Sequence, residues 1–202
     1  MSLMLLGTVL LWGFGLGLLH ALDADHLMTV ASLSARTDSR SATLRFAALW
    51  ALGHGGLLVA IAAAVFLLDW TLPEALPAGA ERTVGVILIA VGASALWLRH
   101  PPHGSPRTLR EKAPFAIGLI NGLAGSAAML ALVPATLYHP ALGLAYAVIF
   151  SAGVLAGMMG FGAVIGRLQH GLTQAMPQAG KFARIVLGIG AIGMGAHWLS
   201  AA

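Results

Sequence analysis

The chain contains no cysteine, which excludes a disulfide framework and any thiolate metal site. It is also poor in charge. Lys, Arg, Asp and Glu make up 9% of its 202 residues, where a soluble domain carries roughly 25%. So few charges cannot cover a water-facing surface. With 58% hydrophobic residues and a mean hydropathy of +0.88, the composition indicates an integral membrane protein. The length excludes two sizeable domains, so one transmembrane domain over residues 1–202 is expected. The start, Met1-Ser-Leu-Met-Leu-Leu6, lacks a basic n-region, and no cleaved signal peptide is expected. There is no Walker-type Gly-Lys-Ser/Thr segment and hence no nucleotide-driven cycle. A net charge of +4 could suggest a nucleic-acid partner, but the basic residues lie between apolar runs. They read as topology determinants, and no nucleic acid is expected.

What is present is apolar sequence in long runs. A span needs about 20 mostly apolar residues. Six stretches qualify, at about 3–35, 46–68, 83–98, 115–137, 141–165 and 182–199. The fold class expected is therefore an all-α integral membrane protein of six transmembrane helices. The third stretch is short and can extend into its flanks. The first would be about 50 Å long as one helix, against a hydrocarbon core of about 30 Å. It must tilt, protrude or break, and Gly13, Gly15 and Gly17 precede a candidate breaking point at His20.

The connections orient the chain. Arg36, Arg40 and Arg45 follow span one. Arg99, Arg107, Arg110 and Lys112 follow span three. Arg167, Lys181 and Arg184 flank the loop after span five, and only Arg82 lies on the opposite side. The positive-inside rule makes the basic side cytoplasmic. A bacterial-type plasma membrane protein with both termini outside is expected. Residues 17–28 also align without gaps on 118–129, sharing Gly17/Gly118, Leu18/Leu119, Leu22/Leu123 and Met28/Met129. Span four would then copy span one in the opposite direction, a 3+3 inverted repeat with the site at the repeat interface. Glycine pairs four apart (Gly13/Gly17, Gly118/Gly122, Gly153/Gly157, Gly162/Gly166) provide close helix packing and would equally serve a homo-oligomer.

One segment in this apolar chain is out of place: His20-Ala-Leu-Asp23-Ala-Asp25-His26, inside the first run. An ionisable group in a membrane span marks a functional site by default. Imidazole with carboxylate suits a divalent transition metal such as nickel or cobalt. On a regular helix His20, Asp23 and His26 fan over about 120° of one face, with Asp25 beside His26 as an orienting partner. If the helix unwinds, Asp25 and freed carbonyls can join them. His54, in Leu52-Gly-His-Gly-Gly56 of span two, is the next candidate ligand, because its glycines admit another backbone or an ion. Asn121 is the polar counterpart of His20 in span four, expected to orient a ligating His near the ion. His100 and His103 form a weak cytoplasmic pair. His139, His170 and His197 lie near span ends, as do most of the tryptophans, in keeping with an aromatic belt.

These residues resemble the nickel/cobalt transporter family. Its His-x4-Asp-His hallmark, usually within His-Ala-x-Asp-Ala-Asp-His, is matched at every defined position by His20, Asp23, Asp25 and His26, and a later family Leu-Gly-His by Leu52-Gly53-His54. The resemblance implies a nickel or cobalt permease with these five residues at or near the ion. Typical members have eight spans and a later Asp-Thr-Ala-Thr-Glu segment that is absent here. Asn121-Gly-Leu-Ala-Gly-Ser126 looks like the short urease-accessory-type branch, where a His is expected at 121.

The expected function is a non-enzymatic permease for Ni2+ or Co2+, with no permanently bound cofactor. Its partners would be the transported ion and the lipid bilayer. A 2+ ion entering through 100 mV gains about 4.6 kcal/mol. Two other classes stay open: a membrane accessory protein that delivers nickel to an apoenzyme, and an intramembrane metalloenzyme in which the metal activates water.

Overall fold

The first apolar run does not form one helix. In the computed structural model, which describes residues 3–34, 39–97, 107–131 and 139–201, α1 (Leu3–His20) stops at the motif and α2 (Ala24–Ser34) leaves at 54° to it. No proline causes the break. Leu22 N–H donates to the Leu19 carbonyl at 2.9 Å and Asp23 N–H to the His20 carbonyl at 3.1 Å, tight i+3 bonds that end the helix. The His20 carbonyl takes a second donor, His26 Nδ1–H, at 2.9 Å. A break in an apolar medium must satisfy its freed backbone from within, and the last residue of the motif does this for the first. Asp25 stands in the first turn of α2, where a carboxylate complements the positive end of the helix dipole.

The other helices are α3 (Arg40–Leu68), α4 (Ala75–Trp97), α5 (Arg107–Ala124), α6 (Ser126–Ala131), α7 (Pro140–Ala175) and α8 (Pro177–Ala201). No strand occurs among the described residues. Four helices (α3, α4, α7 and α8) are long and apolar enough to cross a membrane, and the bent α1–α2 pair makes a fifth. The range expected for span four corresponds to α5 and α6, parted at Gly125, and then runs into 132–138, outside the described residues. Span three begins earlier than its apolar core, at Ala75. Helix α7 has 36 residues, about 54 Å, and outruns the hydrocarbon core. Its start is set by His139, whose ring accepts from Ala141 N–H at 3.3 Å, with Pro140 as first helical residue. Ser39 caps α3 in the same way through Ala42 N–H.

Glycine decides how closely these helices approach. A Cβ on Gly17 of α1 would strike the Phe150 carbonyl of α7, and one on Gly153 of α7 would strike the Phe14 carbonyl of α1. Helices α5 and α3 meet likewise, Gly118 against the Trp50 carbonyl and Gly53 against the Phe115 carbonyl. In lipid no hydrophobic force joins helices, so backbone approach through small residues takes its place. The glycine pairs Gly13/Gly17, Gly118/Gly122, Gly153/Gly157 and Gly162/Gly166 all make such helix contacts within the chain. Helices α3 and α7 run antiparallel, with Ala47 beside Gly162, Gly55 beside Ser151 and Phe66 beside Gly143.

Where α1, α3, α5 and α7 meet, Trp50, Leu58, Tyr146, Phe150, Val154 and Met158 are fully buried. Large apolar side chains also cover the outside: Leu11, Leu68, Trp97, Phe182 and Ile189 are all more than half exposed. In water such a surface would aggregate; against lipid tails it is the surface expected. Trp12, midway along α1, and Trp97, at the end of α4, are exposed on the outside. Trp50 is not: it is buried at the centre.

Candidate metal centre

Three imidazoles converge from three helices. His20 ends α1, His26 opens α2 and His54 sits 14 residues from either end of α3. Ring centroids are 4.8 Å apart for His20–His26 and His26–His54, and 5.3 Å for His20–His54. One ring nitrogen from each lies within 4.8 Å of the others, so the trio could hold a metal ion. His26 and His54 are buried and His20 nearly so. The glycines around His54 make this possible: Gly53 admits α5, while Gly55 admits Ser151 of α7, whose Oγ donates to the Gly55 carbonyl at 3.2 Å.

Hydrogen bonds set the ring orientations. His26 Nδ1 must carry its proton, because a carbonyl only accepts, and this leaves the lone pair of a neutral ring on Nε2. That nitrogen faces Asp25 Oδ2 at 3.6 Å, an acceptor opposite an acceptor, an arrangement that could accommodate a cation. His20 Nδ1 lies 2.8 Å from Asp23 Oδ2, which turns His20 Nε2 inward. His20 Nε2 is 3.3 Å from His54 Nε2. Two nitrogens bound tetrahedrally to one ion at about 2.0–2.1 Å would stand roughly 3.3–3.4 Å apart.

The two carboxylates part company here from the regular-helix reading. With α1 ended at His20, Asp23 meets the Nδ1 edge of the His20 ring, and its side chain is 52% exposed. Asp25, assigned only an orienting part on an intact helix, turns inward to His26. Asn121 is buried at the same centre, but its partner differs from the one expected: its Nδ2 donates to Asp25 Oδ2 at 3.4 Å, and Oδ1 has no hydrogen-bond partner among the described residues. Gly125, at the break between α5 and α6, lies against His20 Nε2, where an added Cβ would stand 3.3 Å away. His139 caps a helix, and His170 Nε2 pairs with Gln174 at an exposed site. His100 and His103 lie outside the described residues.

Two aromatic residues at the centre escaped the sequence reading. Trp50 stacks on His54, with centroids 4.9 Å apart and planes at 20°, and meets His26 edge-on at 4.9 Å. Phe150 lies 5.4 Å from His20. The signal for Trp50 was its i−4 spacing to His54; Phe150, on a distant helix, gave none.

Fold and site together define a multi-pass membrane protein with a buried imidazole cluster. Similarity to curated proteins agrees. The chain is 29% identical over 174 residues to the urease accessory protein UreH of Bacillus sp. (strain TB-90), covering 79% of this chain and 76% of that protein. It is 40% identical over 95 residues to a high-affinity nickel transport protein of Cupriavidus necator, covering 46% of this chain and 26% of the relative's length. These relatives match the nickel/cobalt transporter family with its urease-accessory branch, the family whose motif the first span carries. No family model and no solved structure matches the chain.

Proposed function

We propose that this chain is a permease for a divalent transition metal, nickel or cobalt, which it binds through His20, His26 and His54 with Asp25 as the adjoining carboxylate. Asp23 and Asn121 hold His20 and Asp25 in place. The observation that carries this reading is the set of inward ring nitrogens facing one another and a carboxylate at the centre of the bundle. A buried carboxylate, Asp25, with no Lys or Arg ion pair among the described residues calls for a cation. Imidazole and carboxylate together suit Ni2+ or Co2+ better than Mg2+ or Ca2+.

Transport, as opposed to storage, is supported by the position of the cluster and by pseudo-symmetry. His54 is midway along α3. The notches of α1 on α7 (Gly17 on Phe150, Gly153 on Phe14) recur for α5 on α3 (Gly118 on Trp50, Gly53 on Phe115) with every residue displaced by 100 or 101 positions. This is the relation expected of a 3+3 inverted repeat, with α5–α6 as span four completing the count of six and the site at the repeat interface. A second reading, a nickel-holding accessory protein, is favoured by the name of the relative that covers most of this chain.

Uptake separates the two. Purified protein reconstituted in sealed vesicles is expected to admit Ni2+ or Co2+ to the lumen in proportion to protein, beyond the amount bound. Binding at protein stoichiometry with no luminal accumulation would leave the accessory reading. The distribution of basic residues supports an orientation with both termini outside. A single Cys at Ser200 is expected to react with an impermeant thiol reagent in intact cells, whereas protection there, with labelling only after lysis, would invert the topology.

A further inference from the structure

Trp50 and Phe150 occupy corresponding places in the two halves. Each is fully buried, each gives its carbonyl to a glycine notch (Gly118 and Gly17), and each lays its ring against the imidazole cluster. They do so from opposite directions. Because α3 and α7 are antiparallel, with Ala47 beside Gly162 and Gly55 beside Ser151, Phe150 is level with the part of α3 just beyond residue 55. Trp50 is four residues before His54, about 6 Å along the axis, and Phe150 is level with a point about two residues, roughly 3 Å, beyond it. The indole and the phenyl ring thus reach the cluster from backbone positions on opposite sides of His54 along α3.

We infer that Trp50 and Phe150 are the two closures of the ion site, one toward each face of the membrane. This rests on the permease reading above. Neither ring is a ligand. Each blocks water and ion by bulk, and each backbone is pinned by its notch, so opening requires rotation of the ring or separation of α5 from α3 on one side and of α1 from α7 on the other. The pseudo-twofold relation gives the protein equivalent closures facing opposite ways. In the orientation proposed, α3 runs outward, so Trp50 closes the cytoplasmic path and Phe150 the external one.

The test uses the full chain in native membranes, loaded with radioactive Ni2+ and then exposed to EDTA, which does not cross the bilayer. Inside-out and right-side-out vesicles are compared. Wild type is expected to lose metal slowly from both faces. Trp50→Leu is expected to lose it at least tenfold faster from inside-out vesicles only, and Phe150→Ala from right-side-out vesicles only, with Trp50→Phe restoring the slow rate. If both variants release metal as slowly as wild type, or both accelerate at the same face, the assignment is overturned. If Trp50→Phe and Phe150→Leu fold but bind no metal, the rings hold the histidines in place and the closure is likewise overturned. The permease reading fails separately, by absence of bound Ni2+ or of luminal uptake in wild type.

Discussion

His26→Ala is expected to abolish high-affinity metal binding and, with it, uptake. The side chain does two things. Nε2 points to the cluster and Asp25, and Nδ1–H satisfies the His20 carbonyl at the end of α1. Removing it deletes one of three converging imidazoles and leaves the His20 carbonyl with only the Asp23 N–H as donor at the break. Loss of a supporting partner outside the ligand set typically costs 10–100-fold in affinity, so a residue that is both ligand and support should cost more than about 100-fold. Titration of the purified variant with Ni2+ measures this. Asn121→Leu supplies the contrast: it removes only the amide donor to Asp25 and is expected to weaken binding by about tenfold, while Asn121→His preserves or tightens it. His170→Ala should change nothing. Affinity within threefold of wild type for His26→Ala would remove the motif from the site.

Gly118→Val is expected to be the most damaging substitution outside the site. Its added carbons would meet the Trp50 carbonyl and the amide of His54, main chain that cannot rotate away. Overpacking against side chains costs about 1–3 kcal/mol. Here two backbones must separate, and the helix displaced carries His54. We expect loss of folded protein, or a thermal midpoint in detergent lowered by about 10 °C or more, since about 1 kcal/mol shifts a chain of this size by roughly 2–4 °C. Gly17→Val, the corresponding notch of the other half, should behave alike. Gly160→Ala is the control: nothing lies within 4 Å of its added carbon, and it should be neutral or raise the midpoint slightly, because alanine favours helix by about 0.5–1 kcal/mol. A Gly118→Val protein with a wild-type midpoint would show that the α3–α5 approach is not what holds the bundle.

Much of this was legible from the order of residues alone. The scarcity of charge chose the medium, because a surface without charges is stable only against lipid. Long apolar runs gave helices, since a membrane leaves the backbone no other way to satisfy itself locally. The four polar residues of the motif pointed to a polar centre within the bundle, as did the glycines around His54, because both are costly or weakening unless something approaches. The tertiary structure alone decided the rest. A length of 33 residues allowed tilt, protrusion or a break; the break exists because His26 can reach the His20 carbonyl, a contact that an intact helix forbids. That same break sets Asp23 against His20 Nδ1 and buries Asp25 beside His26, placements that a regular helix would not give. The burial of Trp50 and Phe150 against the cluster also depends on which helices meet. In lipid one apolar face is as acceptable as another, so the choice of partners comes from backbone notches matched across about 60 to 140 residues of sequence, a relation visible only once both sides of each notch are in place.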